Sequence, residues 1–201
     1  MVPAGAARSM PHSAWTSPNA LRSSRTSMAA SPGTPRRVRI VHNRAMAHLN
    51  LSDPKFEYDP DDPEGFRAGM YRLGGRVGAE RTGTTLYELP PGEILCPYHY
   101  EYGEEEWLLV LEGKPFLRTP DGTEELGPLD IAFFPRGAEG AHQVGNRSDE
   151  RALVLMWSEV TYPSATAYPD SDKVGVWTGV KPENLIVERS ANVDYYRGEK
   201  P

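Results

Sequence analysis

Residues Gly92–Gly113 read GEILCPYHYEYGEEEWLLVLEG, and this stretch decides the fold. Its second half, residues 106–111, is an apolar run that ends at the turn signal Glu112-Gly113, which is typical of a β-strand. Alternate residues of a strand face the same side, so Glu106 shares a face with Leu108 and Val110. His99 and Glu101 are also two residues apart and share a face for the same reason. The stretch therefore predicts acidic and imidazole side chains that face the interior of a β-structure.

Short strands and turns continue on both sides of this stretch. One strand is predicted at residues 84–89, before Pro90-Pro91-Gly92, and another at 115–119, before the hairpin signal Pro120-Asp121-Gly122. Further strands are predicted at residues 131–134, 151–157, 174–177 and 185–188. No helical pattern extends beyond two turns. Strands that recur at this short spacing predict an all-β sandwich or barrel.

A second group of polar residues lies downstream, where Pro135-Arg136-Gly137 is followed by His142 and Asn146. If both imidazoles and one or two carboxylates converge inside a barrel, they form a mixed nitrogen and oxygen site. Such a site suits Fe, Mn, Ni or Zn as a divalent ion. The ion would also offset the cost of burying two carboxylates.

Both groups resemble the motifs of the cupin superfamily. The first motif is His99, Glu101, Glu106 and Gly113, and the second is Pro135-Arg136-Gly137, His142 and Asn146, so the resemblance covers roughly residues 84–158. It implies a single-domain, cupin-type jelly-roll β-barrel that binds one divalent metal ion. The ligands implied by the resemblance are His99, Glu101 in place of a second histidine, Glu106 and His142. Similar bacterial proteins are normally cytoplasmic and often form homodimers through sheet contacts, and we expect both here.

The sequence departs from the family pattern in three places. Glu101 replaces a histidine, and if it turns away from the metal it is the natural general acid or base beside it. Leu129 stands in the turn Pro128-Leu129-Asp130 where the family has glycine. Because leucine at positive φ is strained, this substitution predicts a turn other than type II. The gap from Gly137 to His142 is also two residues longer than usual, which lengthens the loop before His142.

Further residues are candidates for a substrate pocket or for simple packing. Four aromatic side chains are candidates for the pocket wall, with core filling as the alternative for each: Tyr87, Phe116, Phe134 and Trp157. Arg118 and Gln143 are candidates for orienting a substrate. Glu104 and Glu105 are expected to be solvated, and Cys96 is expected to be an apolar filler facing away from His99 because it lies three residues before it.

Charge divides the chain into two parts. The first acidic residue is Asp53, so residues 1–52 carry only positive charge, from seven arginines. The remainder holds all 28 acidic residues against 15 basic ones (22 less 7), a net charge of −13. A surface this acidic argues against nucleic acid as a partner. No apolar run approaches the ~20 residues of a membrane span, and a lone cysteine excludes an internal disulfide.

The N-terminal region has the composition of a disordered segment. It is rich in Ala, Ser, Pro, Thr and Arg without a helical or strand period, so we expect residues 1–45 to be a disordered basic tail. Three interpretations stay open: an organelle transit peptide, a basic arm for an anionic partner, or a segment upstream of a true start at Met46, which we favour. We expect an arm and first strands at 46–83, the barrel core at 84–158, and C-terminal strands and a tail at 159–201.

Three functions are compatible with these residues. The first is a metal-dependent enzyme that acts on a small polar organic substrate by oxygenation, isomerisation or decarboxylation. The second is a barrel that binds a small ligand without turnover, and the third is an interaction protein that retains the pattern without the chemistry. We rank them in this order, and metal content is the observation that best separates them.

Overall fold

The computed structural model describes residues 47–200, whose regular secondary structure is almost entirely β-strand. The predicted tail at residues 1–45 and the alternative start at Met46 lie outside the described residues. The strands are β1 (Gly69–Arg72), β2 (Thr82–Leu89), β3 (Tyr100–Glu101), β4 (Glu106–Glu112), β5 (Pro115–Thr119), β6 (Gly122–Glu125), β7 (Ile131–Phe134), β8 (Gln143–Asn146), β9 (Ala152–Glu159), β10 (Ser164–Tyr168), β11 (Lys173–Trp177) and β12 (Leu185–Glu188). The helical segments are one α-turn, α1 (Gly74–Val77), and short 3₁₀ turns at Ala138–Gly140, Pro169–Ser171, Lys181–Glu183 and Arg189–Ala191. The all-β prediction is confirmed, and the fold is a jelly roll.

The strands form two layers. One layer is a five-stranded antiparallel sheet in the order β1-β2-β9-β4-β7. The other combines a four-stranded sheet, β12-β11-β10-β3, with a three-stranded sheet, β6-β5-β8. Backbone bridges between Ile94 and Gly145 and between His99 and His142 join these two smaller sheets. The second layer is thus continuous across its middle, and the two histidines lie at the junction.

The side chains at alternate positions of the central strands face inward and fill the space between the layers. Leu108 and Val110 of β4 are fully buried, as is Val154 of β9, and they pack in the same cluster as Leu117 of β5 and Val144 of β8. Glu106 lies on the same inward face of β4 and is 1% exposed. The intervening residues of β4 and β9 face outward, away from this core. The strand parity that predicts an inward Glu106 is therefore the parity that builds the core.

The turn before β7 differs from the sequence-based expectation. Asp130 N–H donates to Gly127 O at 3.0 Å, and Leu129, at the third position of the turn, has a φ of 73°. With Pro128 at the second position, this is a type II turn, and the expectation that leucine excludes it was wrong. Surrounding bonds hold the leucine there, since its N–H donates to Val110 O at 2.8 Å and Asp130 Oδ2 accepts from Gly127 N–H at 2.7 Å. The strain of one residue is offset by the hydrogen bonds around it.

Replacing this leucine with glycine should stabilise the protein. The left-handed conformation costs a non-glycine residue about 1–2 kcal/mol, and the added freedom of glycine in the unfolded chain returns about 0.4–1 kcal/mol of that. Because Leu129 is 78% exposed, losing its side chain removes little packing. We expect Leu129→Gly to raise the free energy of unfolding by about 0.5–1 kcal/mol in urea titrations. Leu129→Ala is the control, as it makes the same truncation and keeps the strain, and equal stabilities of the two variants would contradict this explanation.

Within residues 47–200, no helix has the length and apolar character needed to span a membrane.

Candidate metal centre

Two histidines face each other across a backbone bridge. His99 N–H donates to His142 O at 3.1 Å, and His142 N–H donates to His99 O at 2.8 Å. Residues that are directly opposite in an antiparallel pair place their side chains on the same face. The ring centroids of the two imidazoles are accordingly 4.6 Å apart. The 3₁₀ turn Ala138–Gly140 takes up the longer loop before His142, so the extra length does not displace this histidine.

Each imidazole is oriented by a backbone carbonyl. His99 Nδ1 lies 2.9 Å from Pro97 O, and His142 Nδ1 lies 2.9 Å from Gly140 O. Because a carbonyl oxygen only accepts, both Nδ1 atoms must carry hydrogen, which leaves both Nε2 atoms with a free lone pair. Residue 140 must be glycine for this geometry, since a Cβ there would lie 1.7 Å from Pro135 O. Metal-bound histidines use the same arrangement, in which a carbonyl fixes the tautomer.

Glu106 completes the group from the opposite layer. It begins β4 and pairs with Phe134 of β7 and Ser158 of β9. Its Oε2 lies 3.6 Å from His142 Nε2 and 3.8 Å from His99 Nε2. The ligand atoms of these three residues all lie within 4.8 Å of one another. Phe134 stacks on the His142 ring with centroids 3.7 Å apart, which fixes the plane of that imidazole.

Two buried atoms of this cluster lack a hydrogen-bond partner among residues 47–200. Within the described chain, Glu106 Oε1 and His142 Nε2 are buried and form no hydrogen bond. An unpaired buried polar group costs about 1–3 kcal/mol. Burial and the neighbouring Glu101 raise the pKa of Glu106 well above its usual value. Burial lowers the pKa of His99 to about 4, and burial and the neighbouring His99 lower the pKa of His142 well below its usual value. Neutral imidazoles with inward lone pairs beside a carboxylate are the donor set that a divalent metal requires, so these residues fit the ion that the sequence implies.

Glu101 lies beside this cluster and has its own hydrogen-bond partner. Its Oε1 is 4.0 Å from His99 Nε2, while the Thr166 hydroxyl lies 2.8 Å from both carboxylate oxygens. Trp177 Nε1 donates to the same hydroxyl at 2.6 Å, so the Thr166 hydrogen is directed to Glu101. Burial raises the pKa of Glu101 to about 8, against the opposite effect of the Thr166 hydrogen bond. A carboxyl group held in this way is available for proton transfer.

A cavity of about 280 Å³ opens next to the cluster. Residues His99, Glu101 and Glu106 line one end of it. The four-stranded sheet supplies one wall through Thr166, Tyr168, Lys173, Trp177 and Ile186, and Tyr87 and Met156 lie on the opposite wall. The site therefore combines a three-residue ligand group with space for a small molecule.

The comparison with protein families agrees with this geometry. Residues 85–158 match the model of the cupin domain. The chain contains a cupin domain. The matched segment includes His99, Glu106 and His142, the residues that the structure brings together, and it confirms the resemblance seen in the two sequence motifs.

Two solved structures are similar to this chain. A sugar phosphate isomerase of the cupin superfamily from Silicibacter pomeroyi is 25% identical, with a TM-score of 0.64 over 72% of this chain and 94% of its own. A proposed sugar phosphate isomerase from Acidithiobacillus ferrooxidans is 26% identical, with a TM-score of 0.60 over 65% of this chain and 81% of its own. No curated protein shows significant similarity to the chain.

The candidate pocket residues take different places in this cupin. Tyr87 lines the cavity, and Phe134 packs on His142. Trp157 lies on the outer face of β9, where its ring is parallel to that of Trp107 at 5.9 Å, because its parity is opposite to that of buried Met156. The other three candidates also lie away from the cavity: Phe116 is buried under Arg147, Arg118 pairs with Asp170, and Gln143 donates to Cys96 O.

Several residues of the site do not follow from the sequence pattern. Glu104 is 7% exposed, and the expectation that it is solvated was wrong, because its Oε1 accepts Thr161 N–H at 3.1 Å. Cys96 Sγ lies 3.5 Å from His99 Nδ1, so the expected opposite orientation was also wrong. Residues 96–99 lie outside any named strand, and strand parity does not hold there. Tyr168, Lys173 and Trp177 belong to a segment in which the sequence indicates only strands and turns.

Proposed function

We propose that this cupin is a metal-dependent enzyme that moves a proton next to a carbonyl group of a small organic substrate. Three protein ligands, His99, Glu106 and His142, would hold one divalent ion among Fe, Mn, Ni and Zn. When bound, the ion would supply Lewis-acid polarisation of a substrate oxygen. The cavity beside the cluster offers room for that substrate.

The position of Glu101 carries the proposal. Its carboxylate lines the cavity, lies 4.0 Å from His99 Nε2 and is held by Thr166. We propose that the carboxylate takes a proton from the carbon beside the carbonyl, which leaves an enolate, and that the resulting carboxylic acid returns the proton to the enolate oxygen to give the enol. The two similar proteins described as sugar phosphate isomerases support a reaction of this kind. A Glu101 that points into a cavity also disfavours the interaction protein that retains the pattern without the chemistry.

Glu101→Gln should separate proton transfer from metal binding. We expect the variant to keep its metal content and to lose about 10²–10⁴-fold in proton transfer, because the amide cannot take a proton. The measurement is deuterium incorporation from heavy water, followed by proton NMR, over a panel of hydroxy ketones, aryl ketones and dicarbonyl compounds. Glu105→Gln, at an exposed neighbour, is the control. Deuterium exchange that persists in Glu101→Gln would contradict the role of Glu101. If compounds of the panel bind but none of them exchanges deuterium, the protein is better described as a barrel that binds a small ligand without turnover.

We also propose that the protein forms a homodimer through the outer face of the five-stranded sheet. Two rows of large apolar side chains cross this face: Trp157, Trp107 and Phe133 in one, and Leu155, Leu109 and Ile131 in the other. Ile131 is 60% exposed and Phe133 is 43% exposed. A contiguous apolar surface of this kind marks an interaction site, and a two-fold contact would cover it with its own copy. The cytoplasmic location stays a prediction from the family resemblance.

A charge on this face should separate the two copies. We expect the native protein to have a dimer mass in size-exclusion chromatography with light scattering, and Ile131→Glu to have the mass of a monomer, because the new charge would be buried without a partner. Tyr195→Glu is the control, as Tyr195 is 85% exposed and lies in the C-terminal segment. A native monomer, or an Ile131→Glu dimer of unchanged affinity, would show that another face or none is used.

A further inference from the structure

The cavity beside the metal ligands has a predominantly apolar wall. Away from His99, Glu101 and Glu106, the lining includes polar groups of Tyr87, Thr166, Tyr168, Lys173 and Asn184, and six apolar side chains from both layers and the N-terminal arm: Phe66, Met70, Leu95, Met156, Val160 and Ile186. The six apolar side chains offer no hydrogen-bond partners, so a hydroxyl group placed against them would lose the bonds that it makes with water. The part of the cavity that they line is therefore suited to rings or hydrocarbon rather than to the hydroxyl groups of a sugar.

An indole ring is fixed along this wall. Trp177 and Gly175 lie on the same face of β11, and the ring folds back over Gly175, where a Cβ would be 2.8 Å from Cζ2. Its Nε1 donates to Thr166 Oγ1 at 2.6 Å, and Thr166 pairs with both Gly175 and Glu101 in the sheet register. The absence of a side chain at residue 175 thus lets the indole lie flat, in the same cross-strand row as Glu101. A flat aromatic surface that is already ordered gains binding energy without further loss of side-chain freedom.

The groups that line the cavity offer few partners for a phosphate group. Among residues 47–200, its lining includes four carboxylates, from Asp62, Glu101, Glu104 and Glu106, and a single cation, Lys173. Phosphate sites in proteins normally supply several arginine, lysine or backbone N–H donors. Lys173 is the one lysine or arginine of this lining that could receive a phosphate dianion. One lysine matches a single negative charge.

We propose that the substrate of this cupin is a planar aryl ketone that has a C–H group beside its carbonyl and carries at most one negative charge, and that it is not a sugar phosphate. The inference rests on the proposed function for the role of the ligand cluster, and it adds the substrate class. The aromatic ring lies on Trp177 and against the apolar wall, and its oxygen-bearing edge faces the end of the cavity formed by His99, Glu101 and Glu106. The site thus differs in its ligand class from the two similar proteins described as sugar phosphate isomerases.

Two small probes of similar size test this inference. Salicylate is a planar aromatic monoanion with an adjacent hydroxyl and carboxylate, and dihydroxyacetone phosphate is a non-aromatic sugar phosphate. Titration calorimetry is performed with each probe on the full-length protein, with and without Zn²⁺, at one salt concentration. We expect salicylate to bind the Zn²⁺-loaded protein at least about tenfold more tightly than dihydroxyacetone phosphate, a difference of about 1.4 kcal/mol.

Tryptophan variants show whether the indole carries this binding. Trp177→Leu should weaken salicylate binding about tenfold, whereas Trp177→Phe should keep most of it, because the phenyl ring retains an aromatic face. Trp157→Leu is the matched control: Trp157 stacks on Trp107 on the outer face of the sheet, which is the proposed dimer face and not the cavity, so this variant should leave the affinity for salicylate unchanged. Circular dichroism and the melting temperature establish that each variant is folded, and the Phe variant keeps the test valid if the Leu variant does not fold.

The outcomes separate this inference from the proposed function. Tighter binding of dihydroxyacetone phosphate, no binding of salicylate, or equal effects of Trp177→Leu and Trp157→Leu would overturn the aromatic substrate class. Metal content and deuterium exchange, measured on the same samples, report on the proposed function independently. Salicylate binding that depends on Trp177 in a protein without metal or exchange would support the ligand class while contradicting the enzymatic role.

Discussion

His142→Ala is expected to lower the affinity of the protein for divalent metal by at least ~100-fold. Altering a residue that only supports a metal ligand typically costs about 10–100-fold, and His142 is placed to be a ligand itself. It is fully buried, its Nδ1 is bonded to Gly140 O, and its Nε2 has no partner within the described chain. The variant loses this nitrogen and leaves Glu106 with one imidazole fewer beside it.

Metal analysis by plasma mass spectrometry and competition with a chelator measure this effect. His48→Ala is the matched control because His48 is an exposed histidine outside the cluster. Truncating a buried ring also leaves a cavity, so the folded fraction of His142→Ala must be checked by circular dichroism. His99→Ala serves as a second variant with the same expected loss. Metal content that is unchanged in folded His142→Ala would remove this histidine from the ligand set.

Glu106→Leu is expected to stabilise the metal-free protein and to remove the further stabilisation that a bound metal ion provides. The carboxylate is 1% exposed, and its Oε1 has no partner among the described residues. Replacing it with an apolar side chain of similar size removes a buried unpaired group worth about 1–3 kcal/mol. The metal-free variant should therefore unfold at a higher temperature than the metal-free native protein. This behaviour is the reverse of most core substitutions, which destabilise.

The same variant should lose the stabilisation that metal provides. A ligand at about 100 times its dissociation constant stabilises the native state by about 2.7 kcal/mol, and we expect this gain in the native protein alone. Thermal unfolding of both proteins with and without Zn²⁺ gives both effects in one experiment. Glu105→Leu is the control, because this neighbouring glutamate is exposed and should alter neither quantity. A metal-free Glu106→Leu protein that is less stable than the native one would mean that Glu106 is held by interactions other than a metal.

The sequence predicts the parts of this structure that depend on regular strands. Residues 115–119, 131–134 and 185–188 are strands with the predicted bounds, since turn residues punctuate them. Parity along β4 places Glu106 inside with Leu108 and Val110. The same parity places Trp157 outside, since Val154 and Met156 are buried. The alternation along β9 therefore predicts an outward Trp157, and the size of an aromatic side chain does not by itself place it in a pocket.

The remaining parts depend on contacts between distant segments. Trp177 reaches the cavity because β11 pairs with β10, which in turn pairs with β3, and no local pattern encodes this order. Cys96 comes close to His99 because the chain at residues 96–99 does not continue as a regular strand. Leu129 adopts a positive φ because hydrogen bonds from β4 and Asp130 hold its turn. Tertiary contacts decide all three positions, and local preference is overridden.

The coordination of a bound ion tests the central claim most directly. Zinc-edge X-ray absorption on the Zn²⁺-loaded protein gives the number and type of the ligand atoms. The arrangement of His99, Glu106 and His142 predicts two imidazole nitrogens at about 2.0–2.1 Å and carboxylate oxygen at about 2.0–2.2 Å. His142→Ala should reduce the imidazole contribution to one. A shell of oxygen atoms without imidazole, or a spectrum that is the same in His142→Ala, would contradict the assignment of this cluster as the metal centre.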